Sequence, residues 1–342
     1  MHSHADTVEK RMKLNMEERA FVGFDIGGTK CAVIMGCSNL ENSTCSIQTR
    51  VQIPTKEKTW KNILDFLLDA EKRMEKETGL HPLAAGISSG GPLDSKGGLI
   101  LSPPNLPGWD SVPIVSLVQN ELHVPTFLQN DANAGAVAEW LYGAGKGYKN
   151  VIFLTFGTGL GAGFILDGKL YEGTNMMAGE VGHVRLGKTG PEGYHKKGSF
   201  EGFCSGGGIV ALGRIMSLKY KAMGKHSPLL AMANFTAKDI AGYAREGDGL
   251  SLQIYKKSAQ ELGYGLAMLV DILNPQCIIL GSIYARNPDL FQKDMEQILH
   301  HEALSRSLAC CTIVPAQLGD SIGDFAALAV ATSGFHEMEK GK

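Results

Sequence analysis

The sequence predicts an α/β fold, and three observations carry that prediction. Short apolar runs of strand length alternate with segments of helical period along the chain. A strand–glycine turn–strand device opens at Phe21–Met35 and recurs at Val151–Leu166, about 130 residues later, a weak internal duplication. The 342 residues are 44% hydrophobic with a formal charge of −2, enough to build one large core or two ordinary ones and too little charge for disorder.

The elements follow in chain order. Residues 1–20 lack an apolar core segment and read as a polar extension, a frayed helix at most, rather than a signal peptide. Phe21–Ile26 and Cys31–Met35 flank Gly27 and Gly28 as a β-hairpin. Residues 59–78 place Ile63, Phe66, Leu67, Ala70 and Met74 at helical spacing, with Gly79 as C-cap. Leu83–Ser88 is a strand ending in the turn Ser89-Gly90-Gly91-Pro92, and prolines make 101–110 a loop. A helix over Val112–Leu122, a strand over Val124–Gln129 and a helix over Ala132–Tyr142 come next. Beyond the second hairpin, residues 170–208 are polar, glycine-rich and without period, the kind of long loop that is functional or disordered. Helices are expected over 207–224, 236–246 and 249–273. A strand at Cys277–Gly281, a helix near 288–300, a strand at 311–316 and a terminal helix at 321–333 complete the chain.

Composition removes several classes of function. With 33 basic and 35 acidic residues there is no electrostatic case for nucleic acid or an acidic membrane as partner. No apolar run reaches the length of a membrane span. The seven cysteines form no C-x-x-C pair, and Cys310 and Cys311 are adjacent, so a reducing, cytoplasmic compartment fits best. Glycine is the anomaly: 43 of 342 residues is about one in eight, against an average near 7%. With 13 prolines and no three-residue period, collagen is excluded.

Two of the glycine clusters carry a chemical reading. In Asp25-Ile-Gly27-Gly28-Thr29-Lys30, bare backbone lets amides approach anionic oxygens, Thr29 adds a hydroxyl, and Asp25 can hold Mg²⁺ through water. An ordinary Gly-Gly hairpin is the bland alternative. Thr155-Phe-Gly157-Thr158-Gly159-Leu-Gly161-Ala-Gly163 is a second such turn; no helix follows it, so the dinucleotide fingerprint fails, and two facing turns suit a polyphosphate. Asp131, beside Asn130, is either a helix N-cap or a general base next to a phosphate site. Glu180, His183 and Glu201 are either solvated or the paired acceptors and donors a sugar needs. His183 and His195 stand 12 apart with no cysteine between them, a poor zinc pattern.

Taken together, these stretches resemble the ROK family of bacterial sugar kinases and repressors. The resemblance spans about residues 21–332 and rests on Asp25–Lys30, Pro103-Pro-Asn-Leu-Pro-Gly-Trp109, Asn130-Asp-Ala-Asn-Ala134, Leu154–Gly163, Ala178-Gly-Glu-Val-Gly-His183 and Gly198-Ser-Phe-Glu201. It implies a two-lobed actin-like ATPase, ribonuclease H-like fold with a duplicated strand–glycine turn–strand core. The expected lobes are 21–149, with helix 321–339 packing back, and 150–320, behind the extension 1–20. It further implies ATP and Mg²⁺ as cofactors, a hexose as substrate, and a homodimer. Asp25, Gly27, Gly28, Thr29 and Lys30 would form the first phosphate loop and Thr155, Gly157, Thr158, Gly159 and Gly161 the second. Asp131 would take the proton of the attacking sugar hydroxyl. Asn105, Asn130, Asp131, Glu180, His183 and Glu201 would bind the sugar. Gly281 would lie in the adenosine-side motif, where Ser282 replaces a second glycine common in the family.

One departure stands out. Many members hold a structural zinc through a Cys-x-Cys-Gly-x-x-Gly-Cys stretch, whereas Gly190–Glu201 contains no cysteine, so zinc is predicted absent. A glucokinase-like activity is the expectation, with an N-acetylhexosamine kinase or a fructokinase as near alternatives. A sugar sensor or repressor is the alternative of another class; the 20 residues before Phe21 are too few for a helix-turn-helix domain.

Overall fold

A computed structural model describes residues 18–341. The polar extension therefore lies almost wholly outside the described residues. The chain divides into two compact units: the described residues through Lys146 together with Asp320 onward, and Gly147–Gly319.

In the first unit, strand β1 (Arg19–Ile26) turns through Gly27-Gly28-Thr29 into β2 (Lys30–Asn39), and β3 (Thr44–Pro54) follows. Helix α1 (Trp60–Thr78) starts at an N-cap on Thr59 and stops at Gly79, whose φ of 69° is the left-handed conformation of a glycine stop. Then come β4 (Ala85–Ser89), α2 (Ile114–Leu122), β5 (Thr126–Asn130) and α3 (Asp131–Tyr142). The sheet order is β3-β2-β1-β4-β5. The first two pairings are antiparallel and the last two parallel.

In the second unit, β6 (Val151–Leu154), β7 (Ala162–Leu166) and β8 (Lys169–Tyr171) form the corresponding antiparallel trio. Within 170–208 lie a 3₁₀ turn (Val181–His183), a small hairpin of β9 (Glu192–Gly193) and β10 (Lys196–Lys197), helix α4 (Phe200–Cys204) and the start of α5 (Gly206–Ala222). Helices α6 (Ala237–Arg245) and α7 (Gly249–Leu273) lead to β11 (Cys277–Leu280). The short α8 (Ser282–Arg286), then α9 (Pro288–Glu302), α10 (Ser305–Leu308) and β12 (Thr312–Pro315) complete this unit. Its sheet runs β8-β7-β6-β11-β12, with β11 parallel to both neighbours. The two sheets thus share one topology, which turns the weak sequence duplication into an architectural one. Helix α11 (Ile322–Lys340) returns the chain to the first unit.

Three features depart from the sequence reading. Strand β3 went unpredicted, because an edge strand half-exposed along both faces shows little hydrophobic contrast. The 170–208 segment is built rather than structureless; its pieces are two to five residues long, too short to show a period. The last helix runs to Lys340, past the 333 at which its apolar pattern ends though close to the 339 implied by the resemblance, because its final turns carry charge rather than core residues.

The two units bury separate cores. Helix α1 packs Ile63, Leu67 and Met74 against Val22, Phe24 and Val33 of the first sheet. The opposite face receives Ala327, Leu328 and Ala331 of α11. This second contact is very close: a Cβ on Gly23 would lie 2.7 Å from that of Ala327, and one on Gly86 would collide with the α11 backbone. In the second unit, Phe156, Tyr255 and Phe291 form an edge-on aromatic cluster within one continuous core.

A buried carboxyl departs from this apolar pattern. Glu71 on α1 is 1% exposed, and neither carboxyl oxygen has a hydrogen-bond partner. Burial, reinforced by nearby Glu75 and opposed by Lys72, raises its pKa from 4.5 to about 7. In the unfolded chain the group ionises near 4.5, so the folded state binds the extra proton between pH 4.5 and about 7. Its contribution to stability is full below 4.5 and is lost as pH rises to about 7. Replacing Glu71 with Gln should therefore stabilise the fold more at pH 8 than at pH 4, the difference in unfolding free energy reaching about 3 kcal/mol and showing as a larger rise in melting temperature at pH 8. Equal effects at the two pH values in calorimetry would show that Glu71 is not held neutral.

Candidate functional site

The first glycine turn sits at the head of the β1–β2 hairpin. Thr55, just past β3, braces it: its hydroxyl donates to the Gly27 carbonyl at 2.6 Å and its amide to the Thr29 carbonyl at 3.0 Å. Lys30 and Thr29 remain exposed. Asn105 reaches this turn on the 101–110 loop, which is anchored by buried Leu106 and by Trp109, 1% exposed. The approach leaves no room: a Cβ on Gly28 would lie 2.6 Å from the Asn105 carbonyl oxygen and 2.7 Å from its Cβ.

Asp25, on β1 just before the turn, is half-buried among charges. Burial pushes its carboxyl up to about 6; Asp324 and Asp131 add to this, while Lys30 and Arg50 oppose it. Arg50 is itself held by Asp324 at 2.8 Å. This surplus of negative charge fits a cation partner such as Mg²⁺ held through water. Asp324 lies on the last helix, some 300 residues from Asp25, and no sequence pattern links the two.

Asn130 and Asp131 share the β5–α3 junction, and the structure decides which of them caps the helix. The cap is Asn130, whose Oδ1 accepts from the Asn133 amide at 2.7 Å. Asp131 is the first helical residue, one position earlier than the predicted start, and its carboxylate stays open to solvent. Protein packed around it raises its pKa, while the Ala132 amide, donating at 2.8 Å, pulls the other way.

The second glycine turn closes on itself. The Thr155 amide donates to the Gly161 carbonyl, and the Gly161 amide to the Thr155 hydroxyl, both at 3.0 Å. Thr158 at its tip is exposed. Glu201 is bound to this turn: its Oε2 accepts from the Leu160 amide at 3.1 Å, and a Cβ on Gly159 would lie 2.8 Å from the same oxygen. Glu201 is delivered there by α4, whose N-cap Ser199 accepts from the Gly202 amide and whose Phe200 is buried against Gly265 of α7. His183 and Glu180 flank the 3₁₀ turn and are both exposed.

A Cβ at Gly28 or Gly159 would meet Asn105 or Glu201, whereas at Gly157 it would find no atom nearer than 4.0 Å. Gly281 packs on the second turn, its amide donating to the Leu154 carbonyl at 2.9 Å. Ser282 takes φ 39°, a conformation that glycine adopts freely. One feature went unread: Gly206–Gly208 open helix α5, and the Gly206 amide donates to the Gly157 carbonyl at 2.8 Å. Three glycines after Ser205 were the available signal.

Among the described residues, no three or more His, Cys, Asp and Glu side chains cluster to hold a metal ion. The seven cysteines are free thiols. No helix among these residues is long and apolar enough to cross a membrane.

Twin sheets of one topology, each with a glycine turn joining its first two strands, define an actin-like ATPase fold. The chain belongs to the ROK family, whose model matches residues 21–333. A glucokinase of Halalkalibacterium halodurans is 30% identical over 95% of this chain and 99% of its own. A xylose repressor of Caldicellulosiruptor bescii is 27% identical over 85% of this chain and 73% of its own. Among solved structures, a ROK family glucokinase from Streptomyces griseus in complex with glucose and AMPPNP superposes with a TM-score of 0.70 at 28% identity, covering 92% of this chain and 100% of that one. The glucokinase relatives support a sugar kinase, and the family's members include repressors as well.

The contrast between glycines is measurable. Gly28→Ala must displace the Asn105 backbone and should cost about 1–3 kcal/mol of stability, whereas Gly157→Ala meets open space and should leave the melting temperature within about a degree. Comparable losses in the two variants, by thermal denaturation, would contradict the close approach.

Proposed function

We propose that the chain is an ATP-dependent hexose kinase with glucokinase-like specificity. The observation that carries this reading is Asp131: Asn130 does the capping, so the exposed Asp131 side chain is not spent on the helix cap. A helix cap would spend its oxygens on amides; a general base needs one free. The solved relative bound to glucose and AMPPNP supports both substrate classes.

In this reading Asn105, Asn130, Glu180, His183 and Glu201 hydrogen-bond the sugar. Asp131 takes the proton from the hydroxyl as that oxygen forms its bond to the γ-phosphorus, and the bond from phosphorus to the β–γ bridging oxygen breaks to release ADP. The amides around Gly27–Thr29 and Gly157–Thr158, with Lys30, balance phosphate charge, and Gly281 lies on the adenosine side. Asp25 would hold Mg²⁺ through water, and the ion when bound neutralises charge on the phosphates. A cytoplasmic homodimer is part of the proposal. An N-acetylhexosamine kinase or a fructokinase is the near variant, because the same hydrogen-bonding side chains serve several hexoses. The xylose repressor relative favours a second reading, a sugar sensor without turnover.

ADP release measured over a panel of hexoses and N-acetylhexosamines decides between these. A sugar that stimulates release supports the kinase, and no stimulation by any sugar supports the sensor. Asp131→Asn should lower kcat by about 10²–10⁴-fold while sparing sugar binding by calorimetry, and near-normal kcat would remove the base assignment. In the wild type, kcat should fall as pH drops through the Asp131 pKa, which burial raises from its ordinary value.

A further inference from the structure

The segment between His183 and Glu201 contains no cysteine, yet it is firmly tied to both. The Lys196 ammonium donates to the His183 carbonyl at 2.7 Å, and the Arg185 guanidinium to the Lys197 carbonyl at 2.6 Å. The Phe200 amide donates to the Val184 carbonyl at 2.8 Å, and the Leu186 and Gly187 amides share the Gly198 carbonyl. At the other end the Ser199 hydroxyl donates to the Gly193 carbonyl at 3.1 Å and accepts from the Gly202 amide, one residue beyond Glu201. The β9–β10 hairpin is therefore a brace between the residue that presents the imidazole and the helix that presents the carboxylate.

The tip of this brace breaks a local rule. Tyr194 and His195 occupy the two turn positions with φ of 50° and 61°, where a two-residue hairpin favours asparagine and glycine. Tyr194 is also 69% exposed, so burial does not account for an aromatic ring there. Its ring has two ring neighbours: it stands edge-to-face with the His183 imidazole, centroids 6.0 Å apart at 88°, and tilted at 51° against the adjacent His195 ring, 6.3 Å away. A left-handed conformation kept by a bulky residue, with its ring on a candidate sugar ligand, points to a role for that ring.

We propose that Tyr194 is a positioning residue for sugar binding. Its ring limits the orientations of the otherwise exposed His183 imidazole, and the hairpin that carries it fixes His183 relative to Glu201. This rests on the sugar-kinase reading above, since it assigns His183 to the sugar. Tyr194 works through ring contact, so the hydroxyl is dispensable; it acts on the sugar and not on ATP.

The test is steady-state kinetics on the full chain with the hexose that the wild type uses best. Tyr194→Ala should raise KM for that sugar by about three- to tenfold, with kcat, KM for ATP and melting temperature unchanged. Tyr194→Phe, which keeps the ring, should restore the wild-type KM. An unchanged sugar KM in Tyr194→Ala overturns the assignment, as does a Phe variant as impaired as the Ala variant. A lower melting temperature, with kcat reduced and both KM values raised together, also overturns it, because that is a structural role. If the wild type itself turns over no sugar, the kinase reading fails and this inference with it, a failure visible before any variant is made.

Discussion

Two close approaches govern the candidate site: Asn105 against Gly28 and Glu201 against Gly159. In each unit the turn that heads the first hairpin has a bare backbone against which a residue of another segment is seated, the Asn105 backbone and Cβ at Gly28 and the Glu201 carboxylate at Gly159. The glycine turn and the residue seated on it are thus mechanically one piece within each unit. A side chain on either glycine would displace that residue. This coupling follows from steric exclusion at van der Waals distance, which no rearrangement of solvent relieves.

Around these contacts, the rest of each unit acts as support. Trp109 and Leu106 anchor the Asn105 loop in the first core, while Phe200 anchors the Glu201 helix in the second. Thr55 and Thr155 close their respective turns with hydroxyls, so the amides that remain free are oriented in advance. The electrostatics follow the same division. Asp25 and Asp131 both have raised pKa values, but for different surroundings: Asp25 sits among Asp324, Lys30 and Arg50, whereas Asp131 feels crowding by protein and one helix amide. Burial is the largest cause in both; the carboxyl that also sits among fixed charges of both signs suits a cation, and the one without such neighbours suits proton transfer.

Much of the architecture was legible in the chain. The hairpin around Gly27-Gly28, helix α1 with its Thr59 and Gly79 boundaries, and the long α7 announce themselves through strong local patterns. What escaped was weakly patterned. Strand β3 lies at a sheet edge with both faces half-exposed, and the β9–β10 hairpin is stabilised by Lys196, Arg185 and Ser199 rather than by apolar alternation. Asp324 joined the charges around Asp25 only through the return of the last helix.

The glycine excess marks the boundary between the two kinds of information. The sequence by itself determined that backbone would be bare at Gly27, Gly28, Gly157 and Gly159, because those residues have no Cβ under any fold. It also determined the α/β class, since hydrophobic period is written locally. What fills each bare position was decided by the tertiary structure: Asn105 at Gly28, Glu201 at Gly159, helix α11 at Gly23 and Gly86, and open space at Gly157. The same holds for Asp131, whose freedom from capping depends on Asn130 being seated one residue earlier. Occupancy of space is a relation between segments distant in sequence, and only the folded chain specifies it.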